Sequence, residues 1–192
     1  REAVETMTEL IEYYKGIFTI LSSCASRQLE EVTFRRTVIP VQELLDAAGK
    51  YFKKLIKNRP ERIELEIEPM EAKVIGDVNQ LRFLLENLID EALTVREDGV
   101  IRLQARKDNE YVRFLFTDTR REKSVEELNQ LFYPNLARMT SGEKGELRGT
   151  EYLVCKQIIR DHDEFAGRRG CRINAEPAEG GGFTVYFTIP RR

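Results

Sequence analysis

The chain is expected to fold as an α+β sandwich, a mixed β-sheet with helices on one face. Three observations predict this. Apolar residues alternate with period two in Ile63–Leu65–Ile67, Ile101–Leu103–Ala105 and Val112–Phe114–Phe116, the signature of half-buried strands. Between and after these runs lie segments with apolar residues at helical spacing, at Val41–Ile56, Asp77–Leu93 and Glu151–Asp161. The two kinds of element mix without strict βαβ alternation, which favours a mixed sheet over a doubly wound parallel one.

Composition bounds the function. A length of 192 residues suits one ordinary domain plus an extra element, enough to bury a sizeable core. With 41% hydrophobic and 33% charged residues the chain reads as soluble and globular. No apolar run is long enough to span a bilayer, so no membrane contact is expected. The chain begins at Arg1, without a Met or a signal peptide, and reads as a cytoplasmic piece of a longer protein, compatible with a membrane-anchored parent. A net charge of −2 gives no electrostatic case for nucleic acid. Cys24, Cys155 and Cys171 are scattered and odd in number, which argues against a disulfide framework or a cysteine-built metal site.

Residues 2–28 read as one long helix. Ala3, Met7, Leu10, Tyr14, Ile17, Leu21 and Cys24 form a heptad seam, with Val4, Ile11, Phe18 and Ala25 beside it. A double seam suits a helix of a four-helix bundle; the alternative is an amphipathic helix packed on its own domain. A polar connector over residues 29–39 leads into an extended piece. Pro40 then stands at the first turn of the helix Val41–Ile56. Pro69 ends the first strand, and a short Val-Ile-Gly run at residues 74–76 leads to Asp77. Asp77 with Gln80 makes a capping-box variant, and Leu81, Leu84, Leu85, Leu88 and Ala92 form the core stripe of the helix that follows. Asp108-Asn109 is the expected hairpin turn between the next two strands. Ser124 with Glu127 is a second capping box. Residues 134–150 show no period and read as a mobile loop, while Arg172–Ala175 and Phe183–Ile189 close the chain as a hairpin around three glycines.

Five motifs, in order, carry a family resemblance. The helix DVNQLRFLLENLIDEAL at 77–93 resembles the N-box of histidine kinases in the GHKL ATPase superfamily. DTRRE at 118–122 stands where that family has Asp-x-Gly-x-Gly, and LFYPNLARM at 131–139 resembles its phenylalanine box. ELRGTEYLVCKQIIRDH at 146–162 is similar to its second glycine box, and GGGFTVYFTIP at 180–190 to its closing strand. The resemblance implies a GHKL α/β sandwich over residues 36–192, with residues 1–35 as the second helix of a dimerisation hairpin and a connector. It also implies ATP and Mg²⁺ as cofactors, a homodimer through the N-terminal helix, and a response regulator as partner. By the same resemblance the nucleotide-site positions are Asn87, Glu91, Asp118 and Gly149. Glu91 is the candidate Mg²⁺ ligand, and Asp118 the group that reads the adenine amino group.

The motifs are degenerate. Glu91 replaces the second N-box Asn, four residues after Asn87 and on the same helix face. A carboxylate is a legitimate oxygen ligand for Mg²⁺. Facing polyphosphate without a metal bridge, however, a like charge at about 4 Å costs about 4 kcal/mol at an effective dielectric of 20, roughly a thousandfold in affinity. Arg120 and Glu122 replace the two glycines after Asp118. Leu147 and Glu151 replace glycines of the second box, leaving Gly149. Thr94 stands where the family has a Lys. Glu91 is therefore expected to pair with Arg120 or Arg121 across the site. His162, the single histidine, falls at a structural position of the family, and no catalytic residue is assigned. The leading reading is a histidine-kinase region with little or no ATP binding, a pseudokinase of two-component signalling, its enzymatic activity impaired or lost. The alternatives are an active kinase using Glu91 for metal, and a structural dimerisation module.

Overall fold

The computed structural model describes residues 3–8, 10–11, 14–15, 34–133, 140–141, 147–148 and 150–192. Contacts divide the chain into two units, residues 34–132 with 151–192, and the rest.

The larger unit is the expected sandwich. Its sheet runs in the order β2 (Ile63–Ile67), β4 (Gly99–Asp108), β5 (Tyr111–Asp118), β9 (Phe183–Pro190), β8 (Ile173–Pro177). β2 is parallel to β4 and every other pairing is antiparallel, so the sheet is mixed. Alternation buries Ile101, Leu103, Ala105, Val112, Phe114 and Phe116 on one face and leaves Arg102 and Arg106 on the other. Phe114 and Phe187 are register partners and stack at 4.8 Å across β5 and β9. Against the apolar face lie α1 (Val41–Ile56), α2 (Val78–Ala92) and α4 (Glu151–Phe165), which share one core cluster with the sheet. A short α3 (Val125–Asn129) carries the capping box of Ser124 and Glu127, made in both directions.

The strand pairing before Pro40 and the hairpin turn differ from the sequence reading. The extended piece before Pro40 is a strand, β1 (Thr37–Pro40), paired antiparallel with β3 (Lys73–Gly76); such pairing is set by distant residues and leaves no local period. The hairpin turn is centred one residue later than expected, on Asn109-Glu110, with Asn109 at φ 53°, which Asn tolerates.

The Asp77 cap is made on one side only. Its Oδ1 accepts from the backbone N–H groups of Asn79 (3.0 Å) and Gln80 (3.1 Å), and Oδ2 accepts from that of Arg35 (2.9 Å). The reciprocal half of the box is absent, because the Asp77 N–H donates instead to Nε2 of His162 at 3.1 Å. Nδ1–H of His162 in turn donates to the Ile158 carbonyl at 2.8 Å, which fixes the neutral tautomer. The ring is fully buried, with Phe34 edge-on at 4.8 Å.

In the smaller unit the described N-terminal residues are helical, and Val4, Met7, Leu10, Ile11 and Tyr14 are exposed. The seam residues from Ile17 to Ala25 lie outside the described residues. The segment read as an aperiodic loop contains a two-stranded ribbon, β6 (Thr140–Ser141) with β7 (Leu147–Arg148), too short to leave a period.

Burial holds the His162 pKa below its ordinary value, against the bond to Ile158 and the charge of Asp77. The folded protein thus keeps the ring neutral, while the unfolded chain protonates it near pH 6.5. The stability this contributes is complete above pH 6.5 and declines as the pH falls below it, by at most about 1.4 kcal/mol per pH unit. Urea unfolding between pH 5.5 and 7.5 should show that slope, and His162→Gln should flatten it while lowering stability by about 1–3 kcal/mol. An unchanged slope in the variant would assign the effect to another group.

Candidate functional site

The site lies where the end of β5 meets the C-terminal half of α2. Asn87, Ile89 and Leu88 are buried on α2, whose apolar stripe packs on the sheet and so fixes the direction of its remaining side chains. Asp118 ends β5 at 4% exposure, a position that alternation turns toward the core. A buried carboxylate needs charged or N–H partners.

Arg120 supplies them. Its Nε donates to Asp118 Oδ1 and its Nη2 to Oδ2, both at 2.9 Å, in a two-pronged ion pair. Nη2 also donates to the carbonyl of Ala92 (2.5 Å), and Nη1 to those of Val95 (3.0 Å) and Glu97 (3.1 Å). All five guanidinium N–H groups are used, and the side chain is 1% exposed. The Arg120 backbone N–H adds a bond to Asp118 Oδ1 at 3.0 Å. Breaking one side of such a buried pair costs about 3–5 kcal/mol.

This overturns the expected pairing of Glu91 with Arg120, because Arg120 has no donor left for it. Proximity decides the matter: Asp118 is two residues away on the same turn, while Glu91 is on another element. Arg121 pairs with Glu97 at 2.6 Å on the surface. The Arg120 side chain, expected to obstruct the turn after Asp118, is accommodated by Gly99, and Gly182 lets the last strand approach the backbone of the turn. A Cβ on Gly99 would lie 2.6 Å from Arg120 Cγ, and one on Gly182 would lie 2.1 Å from the Asp118 carbonyl oxygen. Both have positive φ, +145° and +81°, so glycine is required on two counts.

Beside this clamp a cavity of about 210 Å³ remains, lined by Glu91, Asp118, Arg121, Lys123, Tyr152 and Phe183 among others. Glu91 and Asp118 are therefore brought together. Asn87 donates its Nδ2 to the Phe83 carbonyl of its own helix at 2.7 Å and does not line this cavity. Gly149 lies outside the described residues, as does the part of the phenylalanine box from 134 to 139. Negative charge collects around the end of α2. Burial pushes the Asp90 carboxyl up, the Tyr51 hydroxyl bond at 2.6 Å opposes this, and the charge of Glu151 adds to it. Burial likewise raises the Cys155 thiol, with Glu151 and Glu91 contributing. Glu151 also occupies the first turn of α4, where a helix would otherwise present its positive end to an anion.

Sequence reasoning missed three contributors: the carbonyls of Val95 and Glu97, the glycines 99 and 182, and Lys123, whose ammonium lies 5.4 Å over the Phe183 ring. None of the three left a local signal, although the ion pair they surround did. An Arg two residues after a strand-ending Asp is within reach of its carboxylate.

The comparisons agree with this fold. The sequence profile described as histidine kinase-, DNA gyrase B-, and HSP90-like ATPase matches residues 76–192. Among solved structures, the mycobacterial sensor histidine kinase MprB is similar at 18% identity and a TM-score of 0.63, over 82% of this chain and 99% of that one. The catalytic domain of histidine kinase ThkA is similar at 22% identity and 0.63, over 82% and 96%. The Acinetobacter baumannii histidine kinase AdeS is similar at 15% identity and 0.62, over 97% and 79%. No curated protein matches the chain by sequence.

Nucleotide and Mg²⁺ are what this family implies, and the position that would read adenine is already partly taken. Both oxygens of the carboxylate that would read it are engaged by Arg120. Among the described residues no cluster of three or more His, Cys, Asp or Glu could hold a metal ion, so Mg²⁺ would rest on Glu91 and the ligand. The matched profile spans well over half of the chain, including every element that builds the site, and the chain belongs to the histidine kinase-, DNA gyrase B- and HSP90-like ATPase family.

Proposed function

We propose that this chain is the catalytic-type region of a sensor histidine kinase that works in two-component signalling as a pseudokinase, with nucleotide binding weak or absent. The observation that carries this reading is the two-pronged engagement of both Asp118 oxygens by Arg120, which any adenine would have to share or displace. The carboxylates of Glu91 and Glu151, set where phosphates would approach, support it. Residues 1–35 would then be a dimerisation helix and connector, and residues 36–192 the ATPase-like domain.

In this reading the domain acts through its partners. ThkA has been crystallised with the response regulator TrrA, in a structure similar to this chain at 20% identity and a TM-score of 0.63, over 98% of this chain and 52% of that one. A response regulator is the corresponding partner here. The exposed Val4, Met7, Leu10, Ile11 and Tyr14 support a homodimer through the N-terminal helix, since a continuous apolar seam is costly to leave in water. No helix among the described residues is long and apolar enough to cross a membrane, and a cytoplasmic address for this region belongs to the same proposal.

One observation favours the active-kinase alternative. Glu91 and Asp118 share a cavity that Arg121 and Lys123 also line, so cations for phosphate stand nearby. Calorimetric titration of Mg-ATP into the chain separates the two readings. The pseudokinase is expected to bind no tighter than about 1 mM, near −4.1 kcal/mol. Micromolar, Mg-dependent binding would establish the alternative.

The dimer has its own test. Light scattering should give a dimer mass for the chain and a monomer mass for Met7→Glu combined with Leu10→Glu, because a charge buried in an apolar seam is costly. A monomer before substitution would leave the helix to pack within its own chain.

A further inference from the structure

We infer that the slot beneath Asp118 is a guanidinium site, and that Arg120 is its ligand supplied in cis. The inference rests on the proposed reading that a nucleotide is not the occupant. It adds what the site is built to hold.

The groups meeting the guanidinium are acceptors throughout: two carboxylate oxygens of Asp118 and the carbonyls of Ala92, Val95 and Glu97. They converge from three segments, the end of β5, the last turn of α2 and the chain just after it. A ligand for such a set must be flat, donate N–H on several edges and carry positive charge. A guanidinium does all three. Adenine brings one amino group with two N–H donors, and its ring nitrogens, themselves acceptors, cannot serve the remaining acceptors. The Ala92 carbonyl is also at the negative end of the α2 dipole, which attracts a cation. Gly99 completes the fit, because only a bare Cα there leaves room for the Arg120 stem. The slot therefore selects a planar amidinium or guanidinium cation, and the chain delivers one by a two-residue tether.

The test compares thermal unfolding of the whole chain and of Arg120→Ala, with methylguanidinium chloride or adenosine added against matched sodium chloride. Arg120→Ala is expected to lose about 10 °C in Tm, the cost of a buried pair broken in a chain of this length. Millimolar methylguanidinium should restore a saturable part of that loss, as a ligand of the folded state alone does. Adenosine should restore none, and the unsubstituted chain should respond to neither. An unchanged Tm in Arg120→Ala, a loss that neither compound restores, or rescue by adenosine in place of methylguanidinium would each overturn the inference. Should Arg120→Ala fail to fold, Arg120→Lys takes its place. Its ammonium keeps the charge but offers three donors for five acceptor contacts, so its Tm should fall, and a Tm equal to the parent's would overturn the inference. These outcomes are separate from Mg-ATP titration of the parent chain, where tight binding would remove the functional reading itself.

Discussion

Helix α2 is held at both ends by buried polar groups, and the geometry of the site follows from that. At its start, the Asp77 carboxylate caps two helical N–H groups and reaches the backbone of Arg35, while the Asp77 N–H is taken by His162. At its end, Arg120 takes the carbonyl of Ala92 and ties it to Asp118 on β5. Between them Leu81, Leu84, Leu85, Leu88 and Ile89 are each at most 1% exposed, so the helix is pressed to the sheet along its whole length. Apolar burial supplies most of the stabilisation but is non-directional. The polar clamps supply direction, because a guanidinium fork or a fixed imidazole tolerates one register and no other.

That division of labour explains what could be read from the sequence. The sandwich, the span of α1 and the Ser124–Glu127 box rest on periods of two or 3.6 and on contacts within a few residues, and the sequence reading located them. The parallel pairing of β2 with β4 and the pairing of β1 with β3 join residues about 36 apart, as Ile63 to Gly99 and Thr37 to Gly76, and left no local trace. The missing half of the Asp77 box has the same cause. Gln80 was placed to reach back, but His162, 85 residues away, had already taken the donor.

The candidate site was legible as a set of positions and not as a set of bonds. Glu91 and Asp118 do share a cavity. Which carboxylate Arg120 would choose was misjudged, because the sequence reading matched charges across the cleft and neglected the shorter path along the turn. The two glycines missing after Asp118 led to an expectation of crowding. The crowding by Arg120 is relieved by Gly99, which lies before the motif, so a motif-by-motif comparison could not register the compensation.

A carboxylate at the end of a central strand, 4% exposed, requires a partner before the domain can close. If that partner were a diffusing ligand, the stability of the domain would follow its concentration as RT ln(1 + [L]/Kd). A partner tethered two residues away is present at a fixed and high effective concentration. The contacts that order the end of α2, residues 95–97 and the end of β5 are therefore supplied by the chain itself. Under the pseudokinase reading proposed above, such a domain would present the same surface to its partners whether ATP is scarce or abundant. A module that signals by docking requires that constancy, whereas a catalytic one, which must release its cofactor at every turnover, cannot have it.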